Sequence, residues 1–165
     1  MYPVAVVQNT IEEITEHLYP AIKEQLSCIP ALKNDFSEIP AFETVSDLLG
    51  ALKNEFYSLS NYEIKLLFPT LEKITSTQTI TEEQCSHLLE LQLLIRKKEN
   101  RIADLVLLVE VESENIDLAK DKRIADIINT FTNIFTPAKQ KLHINMLQLQ
   151  KLCKKSVNGQ NQQEI

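Results

Sequence analysis

Glycine is nearly missing from this sequence: Gly50 and Gly159 are the only two among 165 residues. Folds rich in β-structure need glycine repeatedly for tight turns and bulges, so a chain this poor in it reads as long helices. The same scarcity removes the Gly-rich loops that cradle phosphates, and with them the nucleotide-binding fingerprints. Cysteine is sparse as well. Cys28, Cys85 and Cys153 are an odd number, far apart, with no paired spacing for zinc or redox work. Each stands beside apolar residues and reads as a small buried hydrophobe in a reducing compartment. No apolar run approaches the roughly eighteen residues that a membrane span requires. The opening MYPVAVVQNT has no basic leader and too short an apolar stretch for a secretory signal. A cytoplasmic protein without membrane contact is the expectation.

Positive charge is also in deficit, with 17 basic against 23 acidic residues and a net charge of −6. A field of that sign repels phosphate backbones, which excludes nucleic acid as a partner. The one basic cluster, Lys139, Lys141, Lys151, Lys154 and Lys155, is spread along a helical stretch and reads as a solvated face. What the chain does have is apolar residues, 44% of the total, at a length that suits one domain with a core of its own.

Those apolar residues recur every three or four positions in four stretches. The first helix is expected from Thr10, with Glu13 completing a capping box, through Ile14, Leu18, Ile22, Leu26 and Ile29. Pro20 falls inside it and should kink or split it. The segment between Pro30 and Pro40 reads as a loop with about one helical turn. A second helix opens near Thr44, with Asp47 at the reciprocal capping position. It carries Val45, Leu48, Leu52, Phe56, Leu59, Glu63, Leu66 and Leu67 in phase until Pro69 bends or ends it. The third runs from about Ile80 to Glu112, with Leu88, Leu91, Ile95, Ile102, Leu105 and Val109 near heptad spacing. The fourth spans about Leu118 to Lys155 through Ile124, Ile127, Phe131, Ile134, Ala138, Leu142, Met146, Leu149 and Leu152, interrupted at Pro137. Four stripes with short connections bury one another as an all-α, up-down antiparallel four-helix bundle with proline-kinked helices. The bundle is assigned to residues 1–155, and residues 156–165 read as a disordered polar tail.

Function inside such a core must show as polar groups within the stripes. Glu63 lies seven residues after Phe56 and four after Leu59, so its carboxylate points at the interior or its near edge. A buried charge needs a partner. A core ion pair with Lys98, which sits between Ile95 and Ile102, is the structural expectation; a bound metal and a water-facing edge are the alternatives. Glu13 with His17, and Glu83 with His87, are four apart and could each share a helix face. Neither a Glu-x-x-His nor a His-x-x-x-His spacing occurs, so structural or surface roles are expected for His17, His87 and His143. No triad, phosphate loop or nucleophile elbow is present, and the chain is not expected to be an enzyme.

The phrase NYEIKLLFP, Asn61 to Pro69, resembles the end of the second helix in hemerythrin-like domains, which include the di-iron proteins linked to iron–sulfur cluster repair. There a His-x-x-x-Glu pair precedes an apolar segment ending Leu-Phe-Pro. EHLYPAIKEQL, Glu16 to Leu26, is similar to the family's first helix, where a histidine stands just before a proline. The resemblance implies a four-helix bundle around a di-iron site, and this chain departs from the ligand set. Glu63 matches the motif glutamate, but Leu59 stands where its histidine would be, and Tyr19 where the first-helix histidine would be. The third-helix stretch IRKKENRIAD has no histidine, and in the fourth helix only His143 is near the last ligand pair, with Asn145 and Gln148 in place of acids. The resemblance therefore implies a degenerate member whose cavity is filled by apolar groups and an internal ion pair, with Lys97 or Lys98 in place of the metal.

Two functions follow as expectations. One is a binding, regulatory or oligomerising module with no cofactor. It would act as a homodimer or on a protein partner through the third and fourth helices, where LLELQLLI and LVLLVEV hold more leucine and valine than one stripe needs. The other is an atypical iron protein that uses Glu63, Glu99 and His143 in oxygen or nitric oxide sensing or in iron–sulfur cluster repair.

Overall fold

The computed structural model describes residues 4–77 and 79–160, with side chains as far as Lys151. Within them every regular element is a helix. The first rod joins α1 (Val4–Glu12), a π-turn at Glu13–Leu18 and α2 (Tyr19–Leu26). A short α3 (Ile29–Asp35) follows and packs on the second rod. That rod consists of α4 (Phe42–Tyr62), a π-turn at Glu63–Leu67 and α5 (Phe68–Thr77). The uninterrupted α6 (Glu82–Asn115) is the third. The fourth joins α7 (Lys122–Thr130), a π-turn at Phe131–Phe135 and α8 (Thr136–Gln160). α1 packs on α5 and α8, α2 on α7, and α4 on α6, so sequential rods run antiparallel in a four-helix bundle.

The prolines do not break these rods. Pro20, Pro69 and Pro137 each stand two residues after a π-turn. The residue before each one donates its N–H to the carbonyl five positions back: Tyr19 to Ile14, Phe68 to Glu63 and Thr136 to Phe131. A proline ring in a regular α-helix strikes the carbonyl four residues earlier. Widening the turn by one residue moves that carbonyl aside, and the rod continues. The extra residue also rotates the apolar phase. Leu66 and Ile134, both expected inside, lie within π-turns and are 41% and 50% exposed, while Leu67 and Phe135 beside them are buried.

The helix starts differ from expectation. Thr10 lies mid-helix and its hydroxyl donates back to the Val6 carbonyl at 2.8 Å, so it caps nothing. α4 begins at Phe42, before Thr44, without a side-chain cap. α7 begins after Asp121, whose carboxylate accepts from the Arg123 N–H at 2.9 Å. The Arg123 guanidinium holds the Asp121 carboxyl below its ordinary value and ties this corner to Asp35 at the end of α3 at 2.6 Å. α6 carries a full capping box, in which Thr81 accepts from the Gln84 N–H and Gln84 from the Thr81 N–H. The backbone of α8 runs helical to Gln160, into the stretch expected as a tail from residue 156; residues 161–165 lie outside the described residues. So do the side chains of Leu152, Cys153, Lys154 and Lys155.

Cysteine chemistry also differs. Cys28 is a free thiol, pushed up from its ordinary pKa chiefly by burial, but Cys85 is disulfide-bonded and not the inert buried thiol expected. Alkylation of the unreduced protein followed by peptide mass spectrometry is expected to label Cys28 and to reach Cys85 only after a reductant is added.

α6 ends in a Schellman turn: Leu118 N–H reaches the Ser113 carbonyl at 2.8 Å and Asp117 N–H the Glu114 carbonyl at 3.1 Å. Asp117 takes a φ of 58° there, a place that favours glycine. Gly50, by contrast, sits mid-helix in α4, where an added Cβ meets nothing within 4 Å. Gly50→Ala and Asp117→Gly are each expected to raise stability by about 0.5–1 kcal/mol, read from urea unfolding midpoints.

Candidate functional site

At the centre of the bundle each rod contributes polar side chains to one cluster. Tyr19 comes from just after the first π-turn, Glu63 opens the second, and Glu99 stands mid-α6. Lys139 and His143 are one turn apart on α8, after the third π-turn. Glu63 is fully buried, and Tyr19 and Lys139 nearly so. The Glu63 carboxylate accepts from the Tyr19 hydroxyl on one oxygen and from the Lys139 ammonium on the other. Lys139 Nζ also lies 3.2 Å from Glu99 Oε1 and 3.4 Å from the Tyr19 oxygen. Glu99 Oε2 in turn meets His143 Nε2 at 2.6 Å.

The ion pair expected between Glu63 and Lys98 does not form. Lys98 points to the outer side of α4, donating to Ser58 Oγ at 2.8 Å and lying 3.5 Å from Glu55. Lys97 is exposed and is not the replacing cation either. The cation on Glu63 is Lys139, which was read as part of a solvated basic face. Its neighbours in sequence carried the signal: Phe135, Leu142 and Met146, four before, three after and seven after, are all buried. A lysine on that stripe faces inward. Of the other candidates, Glu99 and His143 join the cluster. His17 and His87 are exposed and stay outside it, and Glu13 pairs at the surface with Lys141 at 2.9 Å.

Burial shapes the protonation of this cluster. It pushes the Lys139 ammonium well below its ordinary value, against the pull of two carboxylates, and it pushes the Tyr19 phenol well up, with Glu99 adding to the effect. His143 Nδ1 is buried without a hydrogen-bond partner among the described residues, and Glu99 Oε1 has only its ion contact to Lys139. Aromatic rings close the inner side: Phe56 stands edge-on to Tyr19 at 5.3 Å and to Phe131 at 5.8 Å. On the outer side, Glu99, Lys139 and His143 line a cleft of about 700 Å³ between α6 and α8, which Tyr19 and Glu63 do not reach.

A di-metal centre does not fit here. Carboxylates and an imidazole converge, but the Lys139 ammonium touches both Glu63 and Glu99; it has no lone pair to offer a metal, and its charge repels one. Among the described residues no group of three or more His, Cys, Asp or Glu side chains is spaced to hold a metal ion. Searches of protein-family models, curated proteins and solved structures find no match to this chain.

Removing one partner of a buried pair strands the other charge at about 3–5 kcal/mol. Glu63→Leu is therefore expected to cost about that much, and Glu63→Leu with Lys139→Met to recover most of it in the same unfolding assay. Tyr19→Phe is expected to cost about 1.5–3 kcal/mol at neutral pH, the range for a hydrogen bond to a charged group. A phenol raised above its ordinary 10.0 keeps its proton in the folded protein while the unfolded chain loses it. That contribution is whole below pH 10 and is lost as pH climbs toward the folded value, so Tyr19→Phe should flatten the alkaline fall in stability.

Proposed function

We propose that this chain is a hemerythrin-like bundle in which a lysine has taken the place of the metal, and that it serves as a non-catalytic binding or oligomerising module. One observation carries the reading: the Lys139 ammonium lies between carboxylates from the second and third rods, with His143 on the second of them. The phrases NYEIKLLFP and EHLYPAIKEQL support it, since Glu63 and Tyr19, the two positions they single out, both lie in this cluster. With its interior closed in this way, the chain acts through its surface. Exposed apolar residues on α6 and α8, among them Leu93, Leu107, Ile144 and Leu147, supply a surface for a second copy or a helical partner. Among the described residues no helix is long and apolar enough to cross a membrane. The disulfide at Cys85 favours an oxidising compartment over the reducing cytoplasm read from the sequence.

The second reading, an atypical iron protein in oxygen or nitric oxide sensing or iron–sulfur cluster repair, draws on the convergence of Glu63, Glu99 and His143. Elemental analysis of freshly purified protein separates the two. The expected result is no stoichiometric metal in the wild type, and uptake of added ferrous or cobalt ion by Lys139→Ala, which frees both carboxylates. Near-stoichiometric iron in the wild type, lost in Glu63→Ala, decides for the iron reading.

A further inference from the structure

α6 carries two heptad seams. The inner one, with Leu88, Leu91, Ile95, Ile102, Leu105 and Val109, is buried in the bundle. The other faces outward: from Leu89 to Glu114, each position reached by alternating steps of four and three is exposed. Four of these positions are apolar, Leu89, Leu93, Ala103 and Leu107, and apolar residues at this spacing are the pattern of a helix that pairs with another helix. Leu93 and Leu107 on this seam are 72% and 58% exposed, and Ala103 at its middle leaves room for close approach. Ile144 and Leu147 of α8 stand across the cleft from Leu107, so a helix laid along α6 would cover them too.

The charges of the seam say which helix that is. Arg96 lies on it, flanked by exposed Lys97 and Arg101, whereas its last turns carry Glu110 and Glu114. Among the described residues none of these five has an ion-pair partner. Over the stretch from Arg96 to Glu114 the sign thus reverses. Two copies of that stretch side by side in the same direction set like charges together, while an antiparallel pair that overlaps over it sets each basic group on an acidic one.

Resting on the reading of the chain as an oligomerising module, we propose that the outer face of α6 is a self-association surface. On it the α6 of a second copy lies antiparallel about a two-fold axis. The register that matches the seams and also pairs Arg96 with an acid places Ala103 against the partner subunit's Leu107, Asn100 against the partner subunit's Glu110 and Arg96 against the partner subunit's Glu114. Because the interface is isologous, each contact occurs twice, and each substitution acts twice.

The test is the native mass of the full chain, by light scattering on size-exclusion chromatography. The wild type is expected at twice the chain mass of 18.9 kDa. Arg96→Glu and Glu114→Arg are each expected to give monomer, and the two together to restore the dimer, with circular dichroism unchanged because both positions are exposed. A wild type at the mass of one chain, or a dimer indifferent to both single reversals, overturns the proposal. Either outcome leaves the metal-free reading to stand or fall on its elemental analysis.

Discussion

The structure turns on an ammonium ion held out of water between two carboxylates. Lys139 is almost fully buried, and so is Glu63. Each would be far too costly there alone, and each is acceptable because the other is present. The pair is completed by Tyr19, which satisfies the second oxygen of Glu63, and by Glu99, which places a second negative charge beside the ammonium. Since these groups come from four different rods, the cluster also acts on register. Sliding any rod by one turn would keep greasy contacts of similar quality but leave a charge without its partner. Apolar packing supplies the cohesion of the bundle, and the ion cluster discriminates among its possible alignments.

The π-turns belong to the same arrangement. Three of the rods carry one, each just ahead of a proline, and Tyr19 and Glu63 stand at the ends of two of them. An inserted residue in a helix rotates everything beyond it by about a third of a turn relative to what came before. Glu63 and Leu67 can therefore both face inward while Leu66 faces out. The prolines stabilise the wide turn because its geometry removes the clash they would cause in a regular helix. The α6 rod, which has no proline, runs straight through and offers a continuous outer face.

The cluster has an inside and an outside. Tyr19 and Glu63 are sealed by the aromatic rings around Phe56, whereas Glu99, Lys139 and His143 line the cleft beside α6. That cleft and the outer seam of α6 share residues, which places the buried charges directly beneath the face where a second copy is proposed to dock.

Much of the fold was legible from residue order alone. Scarcity of glycine and the recurrence of Leu, Ile and Val at three- and four-residue steps are local properties, and they determine four helices and their inner faces, because an amphipathic rod has one face to hide. They also identify Glu63 as an acid on an inner stripe, whereas Glu99 and His143 entered beside it only with the iron alternative, a structural or surface role being the expectation for His143. The cation that answers Glu63 was not legible from a list of charges. Lys139 looks like one more lysine in a basic stretch, and Lys98 looks better placed in its heptad. The spacing of Lys139 to Leu142 and Met146 marks it as inward-facing, but only packing pairs it with Glu63, while Lys98 is left to reach Ser58 and Glu55 on the flank of α4. A helix's own period says which side chains share a face. Which charge meets which across the core is settled by the relative rotation and height of separate rods, and no single segment contains that information.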